Sequence, residues 1–222
     1  MIKAILFDLD NTLIDFMKMK RQASEAAIDA MLAAGIKLDK EEANKILYEL
    51  YDQHGIEHQQ IFQAFLMKIQ KSLDYKIIAA AIVAYRKMRS GLIEPYPGVM
   101  PTLLKLKQNG LKLAIVSDAP ILQVWMRLTE LRIQDFFDVV VTFDDTGERK
   151  PSALPFKKAL EQLGLKPEEV LHVGDWPERD IAGAKALGMK TAFAKYGAVK
   201  PETIKADYTL SRIEDLLNIV KP

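Results

Sequence analysis

At 222 residues, 49% of them hydrophobic, and with 31 basic against 30 acidic side chains, the chain can bury a sizeable core and has no global charge to attract nucleic acid or an anionic membrane. It contains no cysteine, which excludes disulfides and thiolate chemistry and fits a reducing interior. No stretch approaches the roughly 20 apolar residues of a membrane span, and the short N-terminal apolar run holds Asp8 and Asp10 where a secretory signal needs its cleavage region, so a cytoplasmic protein is expected.

The chain opens on an apolar run of strand character, Ile2 to Phe7, that stops at Asp8-Leu-Asp10-Asn-Thr12. Taken alone, those polar residues read equally well as a turn with capping side chains. From there the rhythm is helical to about Arg89. Ala23, Ala27, Ala30, Met31 and Ala34 form one apolar stripe closed by Gly35, and Asp39 with Glu42 forms a capping box ahead of Ala43, Ile46, Leu47 and Leu50. Ile61 to Ile69 predicts a third helix. Asp74 caps a fourth, with Ile77, Ile78, Ala81 and Tyr85 inward. Residues 16–91 are therefore expected to be a four-helix domain, ended by the Pro- and Gly-rich stretch Gly91 to Gly98.

Strand and helix then alternate. Strands are predicted at Leu111 to Val116, Asp138 to Thr142, Val170 to Val173, Thr191 to Ala194 and Tyr208 to Leu210. Helices are predicted at Val99 to Gln108, Ile121 to Leu131, Leu154 to Leu163, Ile181 to Leu187 and Ile213 to Val220. This order implies an α/β fold, a doubly wound parallel sheet with helices on both faces. The first strand belongs to that sheet, so residues 1–15 and 92–222 form the core and the helical domain is an insertion.

Four strand ends carry polar groups: Asp8 and Asp10, Ser117 with Asp118, the loop holding Lys150, and Asp175 with Asp180. In parallel strands these groups converge on one edge, where open α/β sheets bind ligands. Carboxylates are the ligands Mg²⁺ prefers, and Mg²⁺ binds phosphate oxygens in turn, so an acidic cleft with one lysine and one hydroxyl suits a phosphorylated substrate.

The order Asp-x-Asp-x-Thr (Asp8 to Thr12), Ser117 after an apolar strand, Lys150-Pro151 and Gly174-Asp175 with Asp180 resembles the haloacid dehalogenase superfamily in its phosphatase branch. The helical insertion resembles that superfamily's cap. The resemblance implies a Rossmann-like core and a Mg²⁺-dependent phosphatase of small phosphorylated metabolites. Asp8 would be the nucleophile, Asp10 the general acid and base, and Ser117, Asp118 and Lys150 would bind phosphate. Asp8, Asp10, Asp175 and, at the outer shell or on Lys150, Asp180 would serve the metal. An acidic residue at Asp10 argues against dehalogenation, which has no leaving oxygen to protonate. A phosphomutase, a phosphonatase using Lys18 or Lys20, and a non-catalytic scaffold are the other readings of the same motifs.

Three histidines are the remaining temptations. His54 and His58 are spaced i, i+4 but are separated by Gly55, with no third ligand evident in sequence. His172 sits in the strand before Gly174-Asp175, where a hydrogen bond in the sheet region is the expected role. Nothing in the sequence defines the oligomeric state.

Overall fold

A computed structural model describes residues 1–220. Among them, strands β1 (Ala4–Phe7), β2 (Lys112–Val116), β3 (Val139–Val141), β4 (Val170–Gly174), β5 (Lys190–Ala194) and β6 (Tyr208–Leu210) form one parallel sheet in the order β3-β2-β1-β4-β5-β6. Its apolar runs follow from burial on both faces. Ala4, Leu6, Ala114, Val116 and Val170 pack on one side against Phe156, Ala159, Leu160 and Leu163, while the alternating Ile5, Phe7, Leu113, Ile115, Leu171 and Val173 are buried on the other.

Four helices follow β1: α1 (Phe16–Ala33), α2 (Lys40–His54), α3 (Ile61–Gln70) and α4 (Tyr75–Leu92). The chain then runs through α5 (Val99–Gln108) to β2, α6 (Ile121–Glu130) to β3, α7 (Phe143–Thr146) and α8 (Ala153–Leu163) to β4, α9 (Ala182–Ala186) to β5, and past β6 to α10 (Leu216–Ile219). Strand β1 is central. The chain adds β2 and β3 on one side and then returns to add β4 on the other, so the direction of winding reverses at β1 and β4. That reversal opens a crevice beyond their C-terminal ends. Phe7 lies level with both Ile115 and Val173, which sets Asp8 one step beyond the sheet's most buried row.

The chain divides into two compact units, one made of Met1–Phe16 and the segment from Glu94 onward, the other of Met17–Ile93. The helical unit has its own core of Ala27, Ile28, Met31, Leu47, Leu50, Phe62, Phe65, Leu66 and Ile78. Asp39 starts α2 by accepting the N–H groups of Glu41 and Glu42, and Asp74 starts α4 by accepting those of Lys76 and Ile77. Buried Ser24 and Lys20 interrupt the apolar packing. The buried Lys20 ammonium lies 4.4 Å from the Tyr51 ring centroid and 5.1 Å from that of Tyr85, a pair of cation–π contacts.

Several predicted elements change form. Helix α4 continues through Gly91 to Leu92, because an exposed helical glycine meets no steric conflict and costs only about 1 kcal/mol of propensity. The helix expected at Ile213 to Val220 is a 3₁₀ turn (Ile213–Asp215) followed by α10. That expected at Ile181 to Leu187 begins earlier, as a π turn over Pro177–Ile181 that runs into α9. The short α7 escaped the sequence reading because its four residues are too few to show a helical period.

Candidate active site

Asp8 leaves β1 with its N–H still bonded to the Val173 carbonyl at 2.9 Å, so β4 positions the residue that ends β1. The Thr12 hydroxyl donates to Asp8 Oδ2 at 3.3 Å, which the left-handed turn at Asn11 (φ 59°) makes possible by folding the chain back. That turn is held from outside. Tyr196 donates its hydroxyl to the Thr12 carbonyl at 2.7 Å, and Gly197 packs so closely that an added Cβ would lie 1.8 Å from the Asn11 carbonyl oxygen.

Across the crevice, Lys150 Nζ lies 2.6 Å from Asp8 Oδ1 and 2.6 Å from Asp180 Oδ1. Asp180 Oδ1 also faces His172 Nε2 at 3.1 Å, while Asp180 Oδ2 accepts the Trp176 N–H at 3.0 Å. Gly174 allows this approach, since a Cβ there would come within 2.3 Å of the Asp180 side chain. Oxygens of Asp8, Asp175 and Asp180 all lie within 4.8 Å of one another and all three residues are buried.

Three carboxylates facing one ammonium leave a surplus of negative charge. Burial pushes Asp8 up to about 7 against the attraction of Lys150, with the Asp180 and Asp10 charges adding to the rise. Asp175 is pushed up to about 9, first by burial and then by Asp8 and Asp180. For Asp180 the balance reverses. Burial disfavours its charge, but Lys150 and His172 outweigh that and hold it below the usual carboxylate range. Burial likewise opposes the charge on Lys150, and Asp180, Asp8 and Asp118 overcome it to keep the ammonium firmly protonated. Burial pushes His172 down. A neutral ring facing a carboxylate carries its proton on Nε2 and donates it to Asp180.

Ser117 is buried at the end of β2, bonded through its N–H to the Val141 carbonyl and accepting the Ala119 N–H on Oγ at 3.2 Å. The Asp118 carboxylate is engaged on both oxygens: Oδ1 accepts the Lys150 backbone N–H at 2.9 Å and Oδ2 a guanidinium N–H of Arg179 at 3.2 Å. It thus ties the loop after β2 to the loops carrying Lys150 and Arg179. Asp10 stands apart from the buried trio, its Oδ2 accepting from Arg127 Nη1 at 2.9 Å. His54 and His58 stack with ring centroids 4.9 Å apart and belong to no group of three metal-ligating side chains among the described residues.

Two participants went unread in the sequence. Tyr196 carries no motif. Arg127 does leave a trace, a charged residue on the same helical stripe as the buried Val124 and Leu128, where an amphipathic helix places apolar side chains.

A family model described as haloacid dehalogenase-like hydrolase matches residues 2–188. The chain is 37% identical over 223 residues to a glyceraldehyde 3-phosphate phosphatase of Methanocaldococcus jannaschii, covering 100% of this chain and 98% of that one. It is 35% identical to a phosphoglycolate phosphatase of Aquifex aeolicus, covering 99% and 97%. Among solved structures, a HAD phosphatase from Thermococcus onnurineus superposes with a TM-score of 0.72 at 27% identity, covering 98% of this chain and 97% of that one.

Proposed function

The chain belongs to the haloacid dehalogenase-like hydrolases, and on that premise we propose that it is a Mg²⁺-dependent phosphomonoesterase acting through an aspartyl-phosphate on Asp8. The observation that carries this reading is the buried group Asp8, Asp175 and Asp180 around the Lys150 ammonium, with two of its carboxyls pushed far up. A divalent cation fits this donor set, because Asp8, Asp175 and Asp180 offer carboxylate oxygens, and burial together with the Asp8 and Asp180 charges raises Asp175 against the attraction of Lys150. Asp8, Asp175 and the Asp10 carbonyl would hold the ion, and Asp180 would act on Lys150, since both its oxygens are occupied by protein donors. A bound Mg²⁺ supplies neutralisation of the carboxylates and of the phosphate oxygens.

The protein's own groups then divide the work. One Asp8 carboxylate oxygen attacks phosphorus while the ester P–O bond breaks and Asp10, protonated, passes its proton to the leaving alcohol oxygen. Asp10, now a carboxylate, takes a proton from the water that next attacks phosphorus, and cleavage of the Asp8–phosphorus link releases phosphate and restores Asp8. Lys150, Ser117 and the Asp118 backbone N–H would hold the phosphoryl oxygens, and the Asp118 carboxylate would fix the Lys150 loop. The names of the relatives, a glyceraldehyde 3-phosphate phosphatase and a phosphoglycolate phosphatase, favour esters of two or three carbons. The helical unit is the proposed cap that chooses among them, and the proposed compartment is the cytoplasm. No helix among the described residues is long and apolar enough to cross a membrane.

A panel of short-chain phosphate esters, assayed with Mg²⁺ or with chelator on wild type and Asp8→Asn, tests the reading. Phosphate release should require Mg²⁺ and fall by roughly 10⁴- to 10⁶-fold in Asp8→Asn, as for loss of other nucleophiles. Wild-type turnover in Asp8→Asn would overturn it.

A further inference from the structure

A guanidinium on the apolar stripe of a helix needs a reason. Arg127 occupies such a place on α6, between Val124 and Leu128, with only 5% of its side chain exposed. A Leu or Met would fill that volume without the desolvation penalty of a buried charge. What Arg127 has instead is a charged partner, Asp10 Oδ2 at 2.9 Å, reached across 117 residues of sequence. Its guanidinium carbon also lies 4.5 Å from the centroid of the Phe16 ring, so the group is clamped on its face as well as at its end.

We propose that Arg127 is a positioning residue which, braced on Phe16, holds the Asp10 carboxyl in the orientation from which it exchanges protons with the leaving oxygen and the hydrolytic water. This rests on the reading of Asp10 as general acid and base. Asp10 needs such a hold. It lies just beyond the sheet, at an isolated bridge to Ile14 and next to the left-handed Asn11, and its side chain is 22% exposed, in contrast to the enclosed Asp8 and Asp180. A carboxyl free to rotate would spend part of its time misdirected, and small displacements of reacting groups are expensive in rate. Arg127 engages Oδ2, and because a neighbouring cation favours the carboxylate, it makes Asp10 a stronger acid at the step in which its proton leaves. When that proton passes to the ester oxygen as the P–O bond breaks, Asp10 becomes the anion that Arg127 pairs with best, and it stays in place to accept the proton of water.

The test compares two esters. p-Nitrophenyl phosphate expels a stabilised phenolate that needs little protonation, whereas ethyl phosphate expels an alkoxide that needs it. The readout is kcat/KM, which covers the steps up to loss of the leaving group. The ratio of the two values in one preparation does not depend on how much of a variant is folded. Arg127→Gln should lower kcat/KM for ethyl phosphate by about 10- to 100-fold, part of the 10²- to 10⁴-fold that a general acid contributes, and for p-nitrophenyl phosphate by less than about threefold. Arg127→Lys should recover part of the loss, and Asp10→Asn should show the same selectivity more strongly. Equal losses on both esters in Arg127→Gln, with Asp10→Asn still selective, would overturn the proposal and leave Arg127 a merely structural residue. An Asp10→Asn variant with no selectivity would remove the acid itself, and the proposal with it.

Discussion

The two compact units bury different things. In the helical unit the buried side chains are hydrocarbon and aromatic, with Lys20 and Ser24 the charged and polar ones among the described residues, and Lys20 is covered by two tyrosine rings. The sheet unit buries charged and polar groups, among them Asp8, Ser117, Lys150, Asp175 and Asp180 at or beyond strand ends, His172 within β4 and Arg127 on α6. Packing repays burial in the first case. In the second, burial of unbalanced carboxylates opposes stability, and the sheet must over-determine their positions to keep them there. The difference teaches that the two units rest on different balances: the sheet unit keeps two carboxyls that burial pushes up to about 7 and about 9, the kind of perturbation that clusters at functional sites.

Removing the single ammonium puts that contrast under the greatest stress. Lys150→Met keeps the apolar stem of the side chain but leaves Asp8 and Asp180 facing each other without the ammonium. Breaking a buried pair by deleting one partner costs about 3–5 kcal/mol, and if Lys150 is the proposed phosphoryl-oxygen donor, its loss costs roughly 10²- to 10³-fold in kcat. Both should appear in Lys150→Met, the first by denaturant titration and the second in steady-state assays. A variant that stays as stable as wild type would mean that the carboxylates do not depend on Lys150, and the contrast between the units would weaken.

Much of this arrangement was legible in sequence because buried parallel strands leave continuous apolar runs. Ala4 to Phe7 and Leu113 to Val116 show it directly, each ending at a buried polar residue, Asp8 or Ser117, and β4 keeps the pattern except at His172, with Gly174 standing before Asp175. The pairing of charges was not legible. That Lys150 bridges Asp8 and Asp180, that Asp118 turns its carboxylate to the Lys150 N–H and Arg179, and that Asp10 goes to Arg127 are contacts between loops 30 to 142 residues apart. Local periodicity carries no information on them. The Gly197 approach to Asn11 is hidden for the same reason, since a glycine in a loop has many local explanations and only tertiary packing reveals the one that applies.

The opposite kind of substitution sharpens the comparison from the helical side. Phe65 is fully enclosed in the core of that unit, so Phe65→Ala removes contacts and leaves a cavity. The expected loss is about 3–5 kcal/mol, with the Mg²⁺ affinity of the remaining folded protein unchanged. Denaturant titration and Mg²⁺ titration on the same preparation separate the two effects. A fall in affinity that tracks the fall in stability would show that the units do not divide packing from chemistry.

The smallest expected effect is also the most specific to the carboxylate surplus. Unfolded Asp8 and Asp175 are ordinary carboxyls near 3.8, whereas burial in the folded, metal-free protein pushes them up to about 7 and about 9. Between these limits the folded state holds more protons than the unfolded one, so stability is greatest below about pH 4 as far as these two groups decide it, and is lost as pH rises through 7 toward 9. Asp180, held low, has the opposite sign and acts only as pH falls below the ordinary carboxylate range, outside this window. A Mg²⁺ ion held as proposed would bind the ionised pair, so its affinity should rise with pH over the same interval. The thermal midpoint with Mg²⁺ should therefore exceed that with chelator by more at pH 9 than at pH 5, by several degrees if each kcal/mol is worth about 2–4 °C in a chain of this size. A gap that stays flat or narrows with rising pH would mean that these carboxylates ionise without needing a cation, and that their burial beside Lys150 is already balanced.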